Sequence, residues 1–163
     1  MEQADLKKCF ASGELTVQPD WIDYNGHMNV GYYVVAFDKA TDALLDHLGL
    51  GAVYRCEHNA SVFVLEAHVT YDHEVGSGDR LLFRTQILDH DAKRVHIFHR
   101  MYHAEECYLA ATNELMIMHV DLKTRRPAPF PKTPHERLQD LRRLHECLAR
   151  PDAAGRAIAI RRS

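Results

Sequence analysis

The segment from Asp23 to Asn29 holds side chains that could do chemistry on a carbonyl group. It reads Asp-Tyr-Asn-Gly-His-Met-Asn, so a carboxylate, an amide and an imidazole stand at alternate positions. Asp23 is suited to act as a base for water or to attack a carbonyl carbon itself. Asn25 and His27 are suited to orient groups or to donate hydrogen bonds. Gly26 would let the backbone approach a ligand closely.

A structural interpretation of this segment fits the spacing equally well. Asp23, Asn25 and Asn29 are Asx residues, which often turn or cap the chain before a helix. If a helix begins just after Asn29, its free backbone amides and the positive end of its dipole would polarise a carbonyl lodged there. The spacing alone leaves both interpretations open.

A long helix is predicted directly after the motif. Apolar residues recur there at steps of three and four, which is typical of a helix with one buried stripe. They are Val30, Tyr33, Val34, Phe37, Ala40, Leu44 and Leu48. Asn29 is the predicted N-cap, because its side chain can accept a hydrogen bond from the first free amides. Gly49 is placed to end the helix.

Strand patterns lie on both sides of this helix. Glu14 to Gln18 alternates apolar and polar residues and predicts a short strand. Four further segments are rich in β-formers and separated by polar turns, at 61–71, 80–88, 94–103 and 108–120. Four strands in succession predict an antiparallel meander.

The order of elements predicts an α+β fold. A long central helix with an antiparallel sheet of about five strands is stable when the sheet wraps the helix, so that each covers the other's apolar face. Residues 135–149 have the spacing of a C-terminal amphipathic helix. We expect a single domain over residues 1–150, followed by a tail over 151–163.

The composition excludes several classes of function. The 163 residues carry a formal net charge of −3, which gives no electrostatic reason to expect nucleic-acid binding. No apolar run approaches the roughly 18 residues of a membrane span. The N-terminus lacks the apolar stretch of a signal peptide, so we expect a cytoplasmic protein without a membrane partner. No G-x-S-x-G motif is present, which disfavours a serine hydrolase of the α/β type.

Neither a metal nor another cofactor is expected. The four cysteines lie far apart and form no CxxC pair. His99 and His103 would lie about 13 Å apart on one face of a strand, while His96 would point to the other face, so the three cannot share one ion. We expect these histidines to be exposed.

The loop pattern Asp-x-Asn-x-His-x-Asn resembles the catalytic loop of the plant acyl-carrier-protein thioesterases, which belong to the hotdog superfamily. A closer resemblance covers residues 20–121. WIDYNGHM at 21–28, FDKATDAL at 37–44, KRVHIFHR at 93–100 and LMIMHVD at 115–121 are similar to the thioesterase domain fused to, or accompanying, bacterial carnitine dehydrogenases.

The resemblance implies a hotdog fold and the hydrolysis of a small acyl-CoA to free acid and CoA. In that family the acyl-CoA is betainyl-CoA, the trimethylglycine thioester of carnitine degradation. The resemblance also implies a homodimer or a dimer of dimers, in which sheets pair edge to edge and each active site lies between subunits. Such pairing would cover an otherwise open strand edge.

A second carboxylate is implied by the same resemblance. Val64–His68 is similar to a strand of that family with a Glu and a His two residues apart, which places Glu66 and His68 on one face. In the plant enzymes a downstream Glu lies close to a tyrosine and a Gly-Asp turn, which would favour Glu74 instead. We prefer Glu66, because Glu74 lies near a turn, where a carboxylate is usually solvated.

The predicted catalytic residues are therefore Asp23, Asn25, His27 and Glu66, and the predicted substrate-binding residues are Trp21, Tyr24, Gly26, Met28, Asn29 and His68. A trimethylammonium group has no hydrogen-bond donor and is held chiefly by aromatic faces. The rings near the motif or in the neighbouring strand are Trp21, Tyr24, Tyr32, Tyr33, Phe63 and Tyr71. Most of them are expected to pack in the core.

Two other functions fit the same elements. A hydratase or dehydratase of the same fold would use a His and a carboxylate to move protons at carbon. A binding module would capture an acyl-CoA or a quaternary amine without chemistry. Release of free thiol from an acyl-CoA separates both from a thioesterase.

Overall fold

The computed structural model describes the backbone of residues 3–160 and the side chains of residues 5–160. The helices are α1 (Gln3–Leu6), α2 (Val30–Leu48), α3 (Ala52–His58) and α4 (Lys132–His145), with a 3₁₀ turn at Pro19–Trp21. The strands are β1 (Phe10–Thr16), β2 (Ala60–Tyr71), β3 (Arg80–His90), β4 (Arg94–His103), β5 (Leu109–Asp121) and β6 (Arg126–Pro127). No helix within this part of the chain is both long and apolar enough to cross a membrane.

Helix α2 has the predicted ends. The Gly31 N–H donates to Asn29 Oδ1 at 3.0 Å, which confirms Asn29 as the N-cap. Gly49 adopts a left-handed conformation with φ 79° and ends the helix. The sequence predicts both ends because each depends on a single local residue type.

The sheet is antiparallel and differs from the predicted meander. Its strand order is β1-β3-β4-β5-β2, and β6 pairs with β5. The meander holds for β3, β4 and β5, but β2 pairs with β5 instead of β3. The segment 72–79 is therefore a crossover between distant strands and not a hairpin turn. Local turn chemistry predicts where strands end, but it does not determine which strand lies beside which.

Several smaller elements also differ from the predictions. Strand β1 begins earlier than expected, at Phe10, and ends at Thr16. Helix α3 was not predicted, because Tyr54 is the one buried side chain of its seven residues and leaves no apolar stripe. Helix α4 begins three residues before the predicted position.

The core lies between α2 and the concave face of the sheet. Phe37 and Leu44 of α2 are fully buried, and they pack in clusters with inward-facing residues such as Ile97 and Met101 of β4. Burying one such side chain contributes roughly 1.5–3 kcal/mol. The wrapping of a central helix by the sheet agrees with the predicted α+β fold.

The predicted exposure of the β4 histidines is wrong. His99 is fully buried, His103 is 6% exposed, and His96 is partly buried against Glu114 at 2.6 Å. His99 and His103 face the helix because they share the sheet face of Ile97 and Met101. Polar residues at inward positions are buried when neighbouring side chains satisfy their hydrogen bonds.

The hydrogen bonds of His99 define its tautomer. The Thr41 hydroxyl donates to the Phe37 carbonyl at 2.9 Å, so His99 Nε2 must donate to Thr41 Oγ1 at 3.0 Å. Nδ1 then accepts from the Thr85 hydroxyl at 2.7 Å. Complete burial lowers the pKa of His99 to about 3, so the ring is neutral.

The chain after α4 crosses the outer face of the sheet. Gln86 Nε2 donates to the Ala149 carbonyl at 3.2 Å, and the Gly155 N–H donates to the Glu114 carboxylate at 2.7 Å. The tail predicted from residue 151 thus contacts the sheet, and its last residues, 161–163, lie outside the described part. The domain boundary at 150 stays a prediction.

We predict that His99 makes the protein less stable in mild acid. Its pKa is about 3 in the fold against 6.5 as a free side chain. The stabilisation from the neutral ring is therefore complete above pH 6.5 and is lost as the pH falls toward 3.

The variant His99→Gln tests this, because glutamine retains polar groups for both threonines but cannot be protonated. Below pH 6.5 the unfolding constant of the wild type should rise relative to that of His99→Gln, by up to about tenfold per pH unit. Urea unfolding at pH 7.5 and pH 5 measures this; equal pH dependence of the two proteins would contradict it.

Candidate active site

The loop Asp23–His27 is closed at its base by backbone contacts. Ile22 and Met28 form an isolated antiparallel bridge. The Met28 N–H donates to the Val75 carbonyl at 2.8 Å, which joins the loop to the crossover between β2 and β3. Gly26 lies at the tip with φ 86°, a conformation that other residues adopt only with strain. The loop therefore has a fixed position at the start of α2.

Asp23 makes the turn contacts of the structural interpretation and also lines a cavity. Its Oδ1 accepts the Asn25 N–H at 2.8 Å, and its Oδ2 accepts the Asn29 side-chain amide at 3.3 Å. The structural interpretation is thus correct for the Asx turn. Two accepted bonds leave further lone pairs on the carboxylate, and Asp23 also lines a cavity.

This cavity has a volume of about 510 Å³. Its lining consists of Asp23, Tyr24, Asn25, His27, Met28, Asn29, Val30, Tyr33, Tyr71, Asp72, His73 and Glu74. Six of these residues belong to the predicted loop motif, all of it except Gly26. The end of β2 and the crossover segment supply the opposite wall. The loop and the crossover, far apart in sequence, therefore form one site.

The start of α2 forms part of the cavity wall. Val30 is its first residue and lines the cavity. Its N–H makes no hydrogen bond among the described residues. Free amides at a helix N-terminus carry the positive end of the helix dipole. A carbonyl oxygen placed there would be polarised.

The side chains of Glu74 and His27 lie close to each other in the cavity lining. His27 Nε2 lies 3.5 Å from Glu74 Oε2. The backbone carbonyl of Glu74 accepts the Tyr108 hydroxyl at 3.0 Å, which helps to hold this part of the crossover. Glu74 is thus brought to the motif by the crossover. The Tyr71 and Gly78-Asp79 signals of the plant-enzyme pattern are the features that point to it in the sequence.

Glu66 and His68 do not line the cavity of Asp23. They share one face of β2, as predicted, and line a separate cavity of about 370 Å³ with His96 and Glu114. Glu66 lies opposite Met116 across a strand irregularity, on the outer face of the sheet. Within one chain, therefore, the expected meeting of Glu66 with Asp23 does not occur. Its catalytic role stays a prediction.

Only some of the predicted substrate-binding residues line the cavity of Asp23. Tyr24, Met28 and Asn29 line the cavity, whereas Gly26 shapes the loop tip without lining it. Trp21 stacks on Tyr32, with ring centroids 5.3 Å apart, outside the lining.

Tyr33 and Tyr71 are the cavity rings that lie deeper than Tyr24, which is 97% exposed. Burial raises the pKa of both phenols above the ordinary value, so they are neutral at physiological pH. Asp72, His73 and Val30 were not predicted as site residues. No motif marks them, because the crossover and the helix start place them there.

Comparison with known proteins identifies the family. The model of the thioesterase-like superfamily matches residues 17–140. A betainyl-CoA thioesterase from Pseudomonas aeruginosa is 41% identical over 155 residues, which cover 95% of this chain and 98% of the relative. An L-carnitine dehydrogenase/betainyl-CoA thioesterase from Ruegeria pomeroyi is 35% identical over 97% of this chain, but this chain spans 32% of that relative's length.

Solved structures support the same conclusion. A hypothetical protein from Staphylococcus aureus, solved in complex with CoA, has a TM-score of 0.88 and 31% identity, covering 94% of this chain and 96% of its own. A candidate thioesterase from Pseudomonas putida has a TM-score of 0.82 and 37% identity, covering 94% and 98%. The predicted hotdog fold and thioesterase activity are confirmed. This chain belongs to the thioesterase-like superfamily, as a thioesterase of the hotdog fold.

Proposed function

We propose that this protein hydrolyses betainyl-CoA to trimethylglycine and CoA, in the degradation of carnitine. The observation that supports it most is the 41% identity to a betainyl-CoA thioesterase along nearly the whole of both chains. The cavity of Asp23 at the start of α2 has the groups that thioester hydrolysis needs. The four cysteines are free, which fits the reducing cytoplasm as its compartment.

The thioester carbonyl oxygen would accept the Val30 N–H, where the helix terminus stabilises the oxyanion. Asp23 then has two routes. It takes a proton from water, whose oxygen adds to the carbonyl carbon, or its carboxylate adds directly and gives an anhydride that water later hydrolyses. In both routes the C–S bond breaks and the sulfur leaves as CoA thiol after gaining a proton.

Glu74 is the second carboxylate that we propose for this site, in place of Glu66. It lies 3.5 Å from His27 and lines the same cavity as Asp23. A hydrogen bond to Glu74 would orient the His27 ring so that it can donate a proton to the leaving sulfur. Asn25, with its backbone N–H on Asp23, orients the carboxylate.

We propose that two copies pair through β2. This strand has β5 on one side and a free edge on the other. Phe63, Val64 and Leu65 on it are each at least 40% exposed, and Val30 and Val34 of α2 are also exposed. A long apolar edge is a template for another strand. Antiparallel pairing of β2 with its copy would set the start of one strand beside the end of the other, close to the cavity. The dimer of dimers stays a prediction.

The first test is release of thiol from a panel of acyl-CoAs that includes betainyl-CoA. We expect betainyl-CoA to be the preferred substrate and Asp23→Asn to lower kcat by roughly 10²- to 10⁴-fold. The fold should survive, because the Asn side-chain oxygen can still accept the Asn25 N–H. Asp20→Asn, at an exposed position in the preceding turn, is the matched control and should leave kcat unchanged.

Other outcomes would select other functions. Much faster hydrolysis of simple fatty acyl-CoAs would remove the carnitine assignment but leave a thioesterase. Interconversion of enoyl-CoA and hydroxyacyl-CoA without free thiol would indicate a hydratase. Tight binding without thiol release, unaffected by Asp23→Asn, would indicate a binding module.

We predict that Glu74, and not Glu66, supports catalysis. Glu74→Gln removes the charge facing His27 and should lower kcat by roughly tenfold or more, with KM little changed. Glu66→Gln removes the same charge from the outer face of the sheet and should alter kcat by less than about twofold. Steady-state kinetics on purified variants compares them. The reverse ranking would show that Glu66 acts, through contact with the motif of another subunit.

The proposed dimer is tested by a substitution at the centre of the exposed edge of β2. Leu65→Asp would bring two carboxylates together across the proposed interface and should raise the dimer Kd roughly 100-fold. Leu144→Asp, on α4 and of similar exposure, is the control and should leave the dimer intact. Sedimentation velocity across a concentration series measures both. A wild type that remains monomeric at micromolar concentration and is fully active would refute the proposal.

A further inference from the structure

The lining of the cavity is acidic. Asp23, Asp72 and Glu74 all line it, and no lysine or arginine of the described residues does. Asp72 accepts one hydrogen bond, from the Thr70 hydroxyl at 3.3 Å, and has no cationic partner within 4 Å among those residues. His27 faces Glu74, whereas neither Asp23 nor Asp72 has a cationic partner among those residues. Carboxylates without a counter-charge repel one another, and a bound cation relieves that repulsion. The site therefore favours an acyl group that carries a positive charge.

Two aromatic rings form a corner in the same cavity. The Tyr33 and Tyr71 centroids are 5.1 Å apart and the ring planes are at 87°. Tyr33 is almost buried, and Tyr71 is 47% exposed toward the cavity. Two perpendicular rings present a face and an edge side by side. A methylated ammonium, which cannot donate hydrogen bonds, is attracted to the ring face by its quadrupole.

The corner lies beside the place where the carbonyl would be bound. In a betainyl group a single methylene separates the ammonium nitrogen from the carbonyl carbon, so the two atoms are about 2.5 Å apart. The cation subsite must therefore adjoin the oxyanion site. The Tyr71 hydroxyl lies 3.5 Å from the carbonyl oxygen of Val30, which is the first residue of α2 and also lines the cavity. The geometry meets this requirement.

We propose that Tyr71, backed by Tyr33, holds the trimethylammonium group and that Asp72 supplies the neighbouring negative charge. This assignment rests on the proposed function and names the residues that give it selectivity. Trp21 and Tyr32 stack on each other and are excluded from this role, since neither lines the cavity. Tyr24, 97% exposed, stands at the mouth.

The test uses a neutral substrate of the same shape. 3,3-Dimethylbutanoyl-CoA replaces the quaternary nitrogen of betainyl-CoA by carbon and preserves the size of the group. The selectivity is the ratio of kcat/KM for betainyl-CoA to kcat/KM for the neutral analogue. The ammonium also activates the ester chemically, so the informative quantity is the change in this ratio between variants, in which intrinsic reactivity cancels. We expect Tyr71→Leu to lower the ratio roughly 5- to 30-fold.

Three further variants show which group is responsible for the selectivity ratio. Tyr71→Phe retains the ring face and should preserve the wild-type ratio. Asp72→Asn should lower the ratio a few-fold by removing charge without removing volume. Tyr102→Leu changes a tyrosine on the outer face of the sheet and should leave the ratio unchanged.

The outcomes separate this inference from the proposed function. Failure of the wild type to release thiol from betainyl-CoA would overturn the proposed function. Hydrolysis of betainyl-CoA with a ratio that Tyr71→Leu leaves unchanged would overturn the cation subsite alone. A ratio lost equally in Tyr71→Phe and Tyr71→Leu would also overturn it, because the hydroxyl and not the ring would then be responsible.

Discussion

The side-chain amide of Asn29 connects the start of α2 to the carboxylate of Asp23. Its oxygen accepts the Gly31 N–H and its nitrogen donates to Asp23 Oδ2. The cap therefore fixes two things at once: where the helix begins and how the carboxylate is turned. The buried stripe of α2 holds the helix inside the sheet. Asn29 therefore connects the exposed loop to an element that the core keeps in place. Asp23 and Val30, the first residue of the helix, thereby line one cavity, and Asp23 is only partly buried.

The crossover between β2 and β3 explains the other half of the site. If these strands formed a hairpin, the segment 72–79 would be a solvated turn, and Glu74 would have no role. Because β2 lies beside β5, the chain must instead pass over the start of α2 to reach β3. That passage delivers Asp72, His73 and Glu74 to the motif. The difference in strand order thus also explains why Glu74, and not Glu66, lies beside the motif within one chain.

The features that the sequence predicts are those set by local chemistry. The ends of α2 follow from Asn29 and Gly49, and the strand limits follow from turn residues and β-formers. The sequence does not predict burial that depends on distant partners. His99, for example, is buried with hydrogen bonds to threonines from α2 and β3. The outward face of Glu66 is set by its pairing with β5. Periodicity and element order predict the α+β fold, whereas resemblance to known families is needed to predict the class of reaction.

The position of β2 also bears on how the chain folds. Its partner β5 is made about fifty residues later, and loop closure over such a distance must precede the pairing. Until then β2 exposes two bare edges and the apolar run Phe63–Leu65, a state prone to non-native association. After β5 has docked, the other edge of β2 has no partner strand among the described residues. The strand that is exposed while the chain folds is therefore also the one through which we propose that two copies pair.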